Sequence, residues 1–188
     1  MSQISRRGLL TASVAFVAAP AILRAQTVEP EHEDFSRHNI SSFSNQRWED
    51  HFQTPGKVSI VADTVSRALH WWSADGSDYR VYPTSVPRTD ELTKRGYTEI
   101  VRKKVGPSWT PTASQMERYP DWKPIPPGPE NPLGTHAMYL AWPAYIIHGT
   151  HDTRKIGRRS SDGCIGLYNE MIAEVFEITP IGAQVRVI

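Results

Sequence analysis

The stretch that most limits the fold is proline-dominated and spans residues 107–132, with Pro107, Pro111, Pro120, Pro124, Pro126, Pro127, Pro129 and Pro132 inside it. Proline fixes φ and lacks a backbone donor, so this segment forms neither a central strand nor a long helix. A short helical piece around 113–118 is the one regular element it allows. The remainder is a stiff, extended wall, and regular structure must be sought on either side of it.

Upstream, Val58, Ile60 and Ala62 share one face of a strand, and residues 67–72 resume after a break at Asp63-Thr64. Asp75-Gly76 is a two-residue turn signal, and Tyr79-Arg80-Val81-Tyr82 continues beyond it, so 58–82 reads as a β-meander. Trp71 and Trp72 face opposite sides of their strand, one expected in the core and the other at the rim. Residues 97–104 alternate again as a strand. Downstream of the wall, 137–140 and 144–147 are strand-like, and the second run ends at His148. Asn169 is placed to cap a helix over 170–177 whose apolar stripe is Ile172, Val175 and Phe176. Val185, Val187 and Ile188 make a last strand. The chain is mainly β with one substantial helix.

With 188 residues, 39% hydrophobic and 22% charged, the chain has the length and composition of one globular domain. Its net charge of +1 and the lack of a long basic run argue against a nucleic-acid partner. Residues 1–25 carry Arg6-Arg7, an uncharged apolar stretch and an Ala-rich exit, the layout of a Tat-like export signal with Ala25 as the expected last residue before cleavage. Residues 26–55 form a polar arm with scattered aromatics, and 56–188 the functional domain. The expected location is the periplasm, with the membrane involved only through the signal.

Cys164 is the one cysteine in the sequence. In an oxidising compartment an unpaired thiol is either core filler or a reactive group. His148, sixteen residues earlier at the end of a strand, points to the second reading, because an imidazole takes the proton of a nucleophilic thiol. Gly163 allows an unusual backbone and close substrate approach, and the amides of Asp162, Gly163 and Cys164 offer an oxyanion nest. A competing reading assembles His148, His151, Asp152, Cys164 or His136 around zinc. Gly149 after the strand favours a turn there over the helix that i,i+3 histidines need.

Several segments together resemble the L,D-transpeptidases of the YkuD type: Trp109-Thr110-Pro111-Thr112, residues 127–134, Ile147-His148-Gly149-Thr150, Ile156-Gly157, and Ser161-x-Gly-Cys-Ile ending at Ile165. The resemblance covers about 56–188. It implies a YkuD-like β-sandwich with one main C-terminal helix and the proline-rich segment bordering the substrate. It also implies a cysteine acyltransferase acting on peptidoglycan stem peptides, with no metal or cofactor and with carbapenem sensitivity. Cys164 is then the nucleophile, His148 the base, the Gly149 carbonyl its orienting acceptor, and Asp162 and Gly163 part of the nucleophile turn. Ser161, Trp109, Asn131, Tyr145 and Arg159 are expected to border the bound peptide.

Two positions depart from the family pattern. Asp162 stands where the family usually has histidine, and Gly166 where it usually has arginine. A carboxylate beside the thiol raises its pKa unless a cation answers it. Arg158 or Arg159 is the expected cation. The departures leave three readings: a transpeptidase forming 3-3 cross-links, a hydrolase of the same stem peptides, and a weakly active domain that binds peptidoglycan.

Overall fold

β-branched and aromatic residues between 58 and 83 build the predicted meander. In the computed structural model, which describes residues 45–54 and 56–188, its strands are β1 (Ser59–Asp63), β2 (Ala68–Trp72) and β3 (Tyr79–Pro83). The expected export signal and the first part of the arm lie outside the described residues. Asp75 closes the β2–β3 turn by accepting from the Ser77 backbone at 3.1 Å and from the Ser73 hydroxyl at 2.5 Å. Such aspartate-centred turns hold the chain reversal from the side chain.

The other strands are β4 (Val86–Pro87), β5 (Gly96–Val105), β6 (His136–Leu140), β7 (Ile146–His148), β8 (Arg159–Ser161), β9 (Ile165–Gly166) and β10 (Gln184–Val187). Eight of them form one sheet in the order β3-β2-β1-β10-β5-β6-β7-β9, and β4 pairs with β8. The β1–β10 and β7–β9 pairs are parallel, the rest of the large sheet antiparallel. Just past β3, Ser85 exchanges two backbone hydrogen bonds with Gly166 of β9, at 2.8 and 3.1 Å. One edge of the sheet thus leads to the other, and the sheet curls around its core.

Helix α2 (Asn169–Ile178) fills the inside of the curl with Ile172, Val175 and Phe176, packed with Ile60, Leu69, Ile100, Met138 and Ile147. Full burial of each aliphatic side chain contributes about 1.5–3 kcal/mol. The helix end is tied down by strand residues: Lys103 Nζ donates to the carbonyls of Phe176 and Thr179, and Trp71 Nε1 donates to Thr179 Oγ1 at 3.0 Å. A cation at a helix C-terminus also meets the negative end of its dipole.

Two expectations are corrected here. Trp72 is not at a rim: it is 3% exposed, against 4% for Trp71, in a second cluster with Val61 and Phe52. Trp48 and Phe52, from a segment without periodicity, cover that face of the sheet. Asn169 does not cap α2 either. The N-cap is Tyr168, which makes no side-chain cap bond, and the Asn169 amide is engaged elsewhere.

Candidate active site

The site is built on the parallel β7–β9 pair. Its register sets Ile147 beside Ile165 and His148 beside Gly166. Both isoleucines enter the core, so His148 and Gly166 take the opposite face. Cys164 directly precedes β9, two residues before the position paired with His148. A β-carbon at 166 would make ordinary contact with His148 Cε1, at 3.8 Å, but would fall 2.4 Å from Ser85 Oγ. Ser85 therefore occupies the space in which an arginine at 166 would begin.

His148 Nδ1 donates to the Gly149 carbonyl, since a carbonyl only accepts. That fixes the tautomer and leaves Nε2 as an acceptor. Burial lowers the imidazole pKa to about 4, with Lys155 acting in the same direction and the Gly149 carbonyl opposing it. For Cys164, burial pushes the thiol up to about 11; the Asp162 carboxylate adds to this, while a backbone hydrogen bond from Ile146 opposes it. Both groups are consequently neutral at pH 7. Sγ lies 3.5 Å from the carbonyl oxygen of Ala144, a residue held at φ 65 in the β6–β7 turn. That left-handed backbone is uncommon for a residue with a β-carbon.

Ser161 shapes the turn before Cys164 by donating its hydroxyl to the Cys164 carbonyl at 2.5 Å, and it receives a longer bond, 3.4 Å, from the Gly163 N–H. Gly163 sits at φ 130, and a β-carbon there would press to 3.4 Å from the Tyr145 ring. Tyr145 thus lies against the turn, its hydroxyl 3.4 Å from the Leu92 carbonyl.

Asp162 is answered by other cations than those expected from the sequence. Arg159 is committed to Asp90 at 2.8 Å and to the Pro87 carbonyl at 3.3 Å. Arg88 forms the ion pair with Asp162 instead, and Arg118 approaches the same carboxylate oxygen at 3.6 Å. Arg118 comes from the short helix α1 (Ala113–Arg118) of the proline-rich segment. In the same helix Gln115 accepts the Thr112 N–H at 2.9 Å in a capping box and donates to Asp162 Oδ2 at 3.2 Å. One carboxylate thereby ties the proline-rich segment to the nucleophile turn.

Of the residues expected to border substrate, Asn131 stands back within that segment and Trp109 is half-buried on it. Asn131 is 0% exposed. Its amide nitrogen lies 2.9–3.1 Å from the carbonyls of Pro107, Ile125 and Pro126, and its oxygen accepts from Leu133 N–H at 2.8 Å. It is a framework residue, and the expectation of a peptide contact is corrected. Trp109 pairs through its backbone with Ile125 and packs edge-on against Trp122.

Asn169 is the site residue that the sequence reading misplaced. Its Oδ1 accepts the Thr135 N–H at 3.1 Å and its Nδ2 donates to the Thr150 carbonyl at 3.0 Å, so it clamps the two segments flanking Gly149. The signal was present in Gly134 and Gly149: β-carbons there would fall 2.2 and 2.3 Å from Asn169 Oδ1. His151 is exposed in the turn after β7, and Asp152 is paired with Arg154 at 2.8 Å.

The model of the YkuD family, the L,D-transpeptidase catalytic domain, matches residues 57–187. The chain belongs to this family. A putative L,D-transpeptidase from the ATP synthase subunits region of Fuscovulum blasticum (ORF 5) is 68% identical over 181 residues, covering 96% of this chain and 93% of that protein. The probable L,D-transpeptidase ErfK/SrfK of Escherichia coli K12 is 34% identical over 140 residues, 70% of this chain and 44% of its own length. The chain thus matches less than half of that longer relative. An L,D-transpeptidase structure from Mycobacterium smegmatis superposes with a TM-score of 0.56 at 21% identity, over 70% of this chain and 58% of that one, a likeness of fold. The curled sheet and the one long helix among the described residues are those of the L,D-transpeptidase fold.

Proposed function

We propose that the protein is an exported peptidoglycan L,D-transpeptidase working through a Cys164 thioester and forming 3-3 cross-links. The observation that carries this reading is the imidazole of His148, anchored through Nδ1 to the Gly149 carbonyl with Nε2 available, on the strand paired with the one that directly follows Cys164. A preformed thiolate is not needed. The Sγ–H proton passes to Nε2 as sulfur attacks the carbonyl of the third stem residue. Amides of the 162–164 turn receive the oxyanion. The C–N bond to the terminal D-alanine then breaks, and the imidazolium returns its proton to the leaving amine. An acceptor amine next attacks the thioester, gives a proton to Nε2, and expels the Cys164 sulfur, which is reprotonated. Membership of the L,D-transpeptidase family supports the reaction class, and the layout of residues 1–25 supports export toward the peptidoglycan.

The test is chromatography with mass spectrometry of the products from a disaccharide tetrapeptide. The proposal expects D-alanine and a 3-3 linked dimer in equal amounts. Release of tripeptide without dimer assigns the hydrolase reading, and no conversion contradicts both.

A further inference from the structure

Around the nucleophile turn, positive charge exceeds what the local carboxylate neutralises. Arg88 and Arg118 share Asp162, and among the described residues neither guanidinium reaches a second carboxylate. The Asp162 side chain is 15% exposed, whereas those of Arg88 and Arg118 are 36% and 38% exposed. The anion is covered and the cations face outward. Both are also held in place. Arg88 N–H donates to the Ser161 carbonyl at 3.0 Å, and Arg118 Nε donates to the Ser114 carbonyl at 3.1 Å. The Arg88 bond fixes its backbone, its guanidinium being held by Asp162, while the Arg118 guanidinium is fixed through Nε; planar guanidiniums placed in this way suit a carboxylate. Asp162 is two residues from Cys164, at most about 7 Å along an extended chain. An anion received here is held at the turn that carries Cys164.

We infer that Arg88 and Arg118 form a carboxylate subsite for the donor peptide, with Asp162 as the resident anion that holds the two guanidiniums in position. This rests on the proposed stem-peptide reaction. Its donor carries two carboxylates close to the attacked carbonyl: the terminal one of the departing D-alanine and the side-chain one of the third residue. The subsite takes over charge recognition at a turn where Ser85 fills the space beside Gly166.

The experiment is calorimetric titration of the full chain carrying Cys164→Ala with disaccharide tetrapeptide, and with two versions amidated at one or the other carboxylate. One amide is expected to bind about tenfold more weakly, the scale of a partly exposed charge-assisted hydrogen bond, and its identity names the carboxylate. Arg88→Gln and Arg118→Gln should each weaken the unmodified donor by a similar factor and leave that amide unaffected. Asp162→Asn should bind the unmodified donor at least as tightly, because the amide oxygen still accepts from the guanidiniums and holds them while the competing negative charge is gone. Additive losses from amidation and arginine replacement, indifference to both, or no binding at all overturn the inference. So does an Asp162→Asn loss as large as that of the arginine variants, which makes the cluster a clamp for α1 alone. Turnover by the unsubstituted chain is read separately: binding without turnover contradicts the proposed reaction and leaves the subsite standing, and turnover with charge-indifferent binding contradicts only the subsite.

Discussion

His148 donates its Nδ1–H to the carbonyl of Gly149, the residue that follows it, and so leaves Nε2 as an acceptor. Gly149 is in turn confined by Asn169, whose Oδ1 would lie 2.3 Å from any β-carbon at 149. Removing the Asn169 amide frees the Thr135 N–H and the Thr150 carbonyl. Asn169→Ala should cost about 1–3 kcal/mol in stability, as expected for lost partners of partly buried groups. It should also lower kcat more than it raises KM, because the acceptor that orients His148 moves. Chemical denaturation and steady-state kinetics on one preparation separate the two effects.

Gly134 should tolerate no side chain. At φ 63 a β-carbon would fall 2.5 Å from Thr150 N and 2.6 Å from the Gly149 carbonyl carbon, both backbone atoms. Gly134→Ala is expected to lose roughly 2–4 kcal/mol from overpacking and left-handed strain together. Gly166→Ala meets only the Ser85 hydroxyl below 3 Å, so its cost should be smaller and should fall further in the Ser85→Ala background. Melting temperatures of the unsubstituted chain, the three single variants and the Ser85→Ala/Gly166→Ala double variant check the order.

Acid should destabilise the fold through buried histidines. Burial holds His148 and His70 each near a pKa of about 4, against an ordinary 6.5. Between those values the unfolded chain binds more protons than the folded one, so stability rises with pH from about 4 to 6.5 and levels off above. Each histidine contributes on the order of 3 kcal/mol across that window. His148→Asn should flatten part of the slope in denaturation curves taken at successive pH values.

The thiol should behave as a protonated nucleophile at rest. With Cys164 pushed up to about 11, iodoacetamide alkylation should stay slow at pH 7 and climb through pH 10, past the ordinary midpoint near 9. Asp162→Asn should shift the profile to lower pH, since the carboxylate raises the pKa. Peptide mapping of alkylated Cys164 against pH reads both.

The sequence exposed whatever local rules determine. Strand alternation locates β1 to β3, the proline run lies outside the sheet with α1 as its helix, and His148 and Cys164 are marked by residue type and setting. What it hid depends on contacts between distant segments. Arg88 and Arg118 meet Asp162 from 74 and 44 residues away, and nearer arginines were more plausible partners by sequence distance alone. Trp72 is buried because Phe52 and Trp48 arrive from an aperiodic segment. Asn169 stands at a helix start, where an asparagine reads as a cap, and only the convergence of Gly134 and Gly149 shows its other use.

The most direct test of the central claim is the intact mass of the protein during turnover of disaccharide tetrapeptide. The account predicts a transient adduct equal to the donor minus D-alanine, mapped to Cys164, absent in Cys164→Ala and formed at least about a hundredfold more slowly in His148→Ala, the usual scale of general-base assistance. D-alanine release with no adduct on Cys164 at any time, or unchanged release by Cys164→Ala, would contradict it.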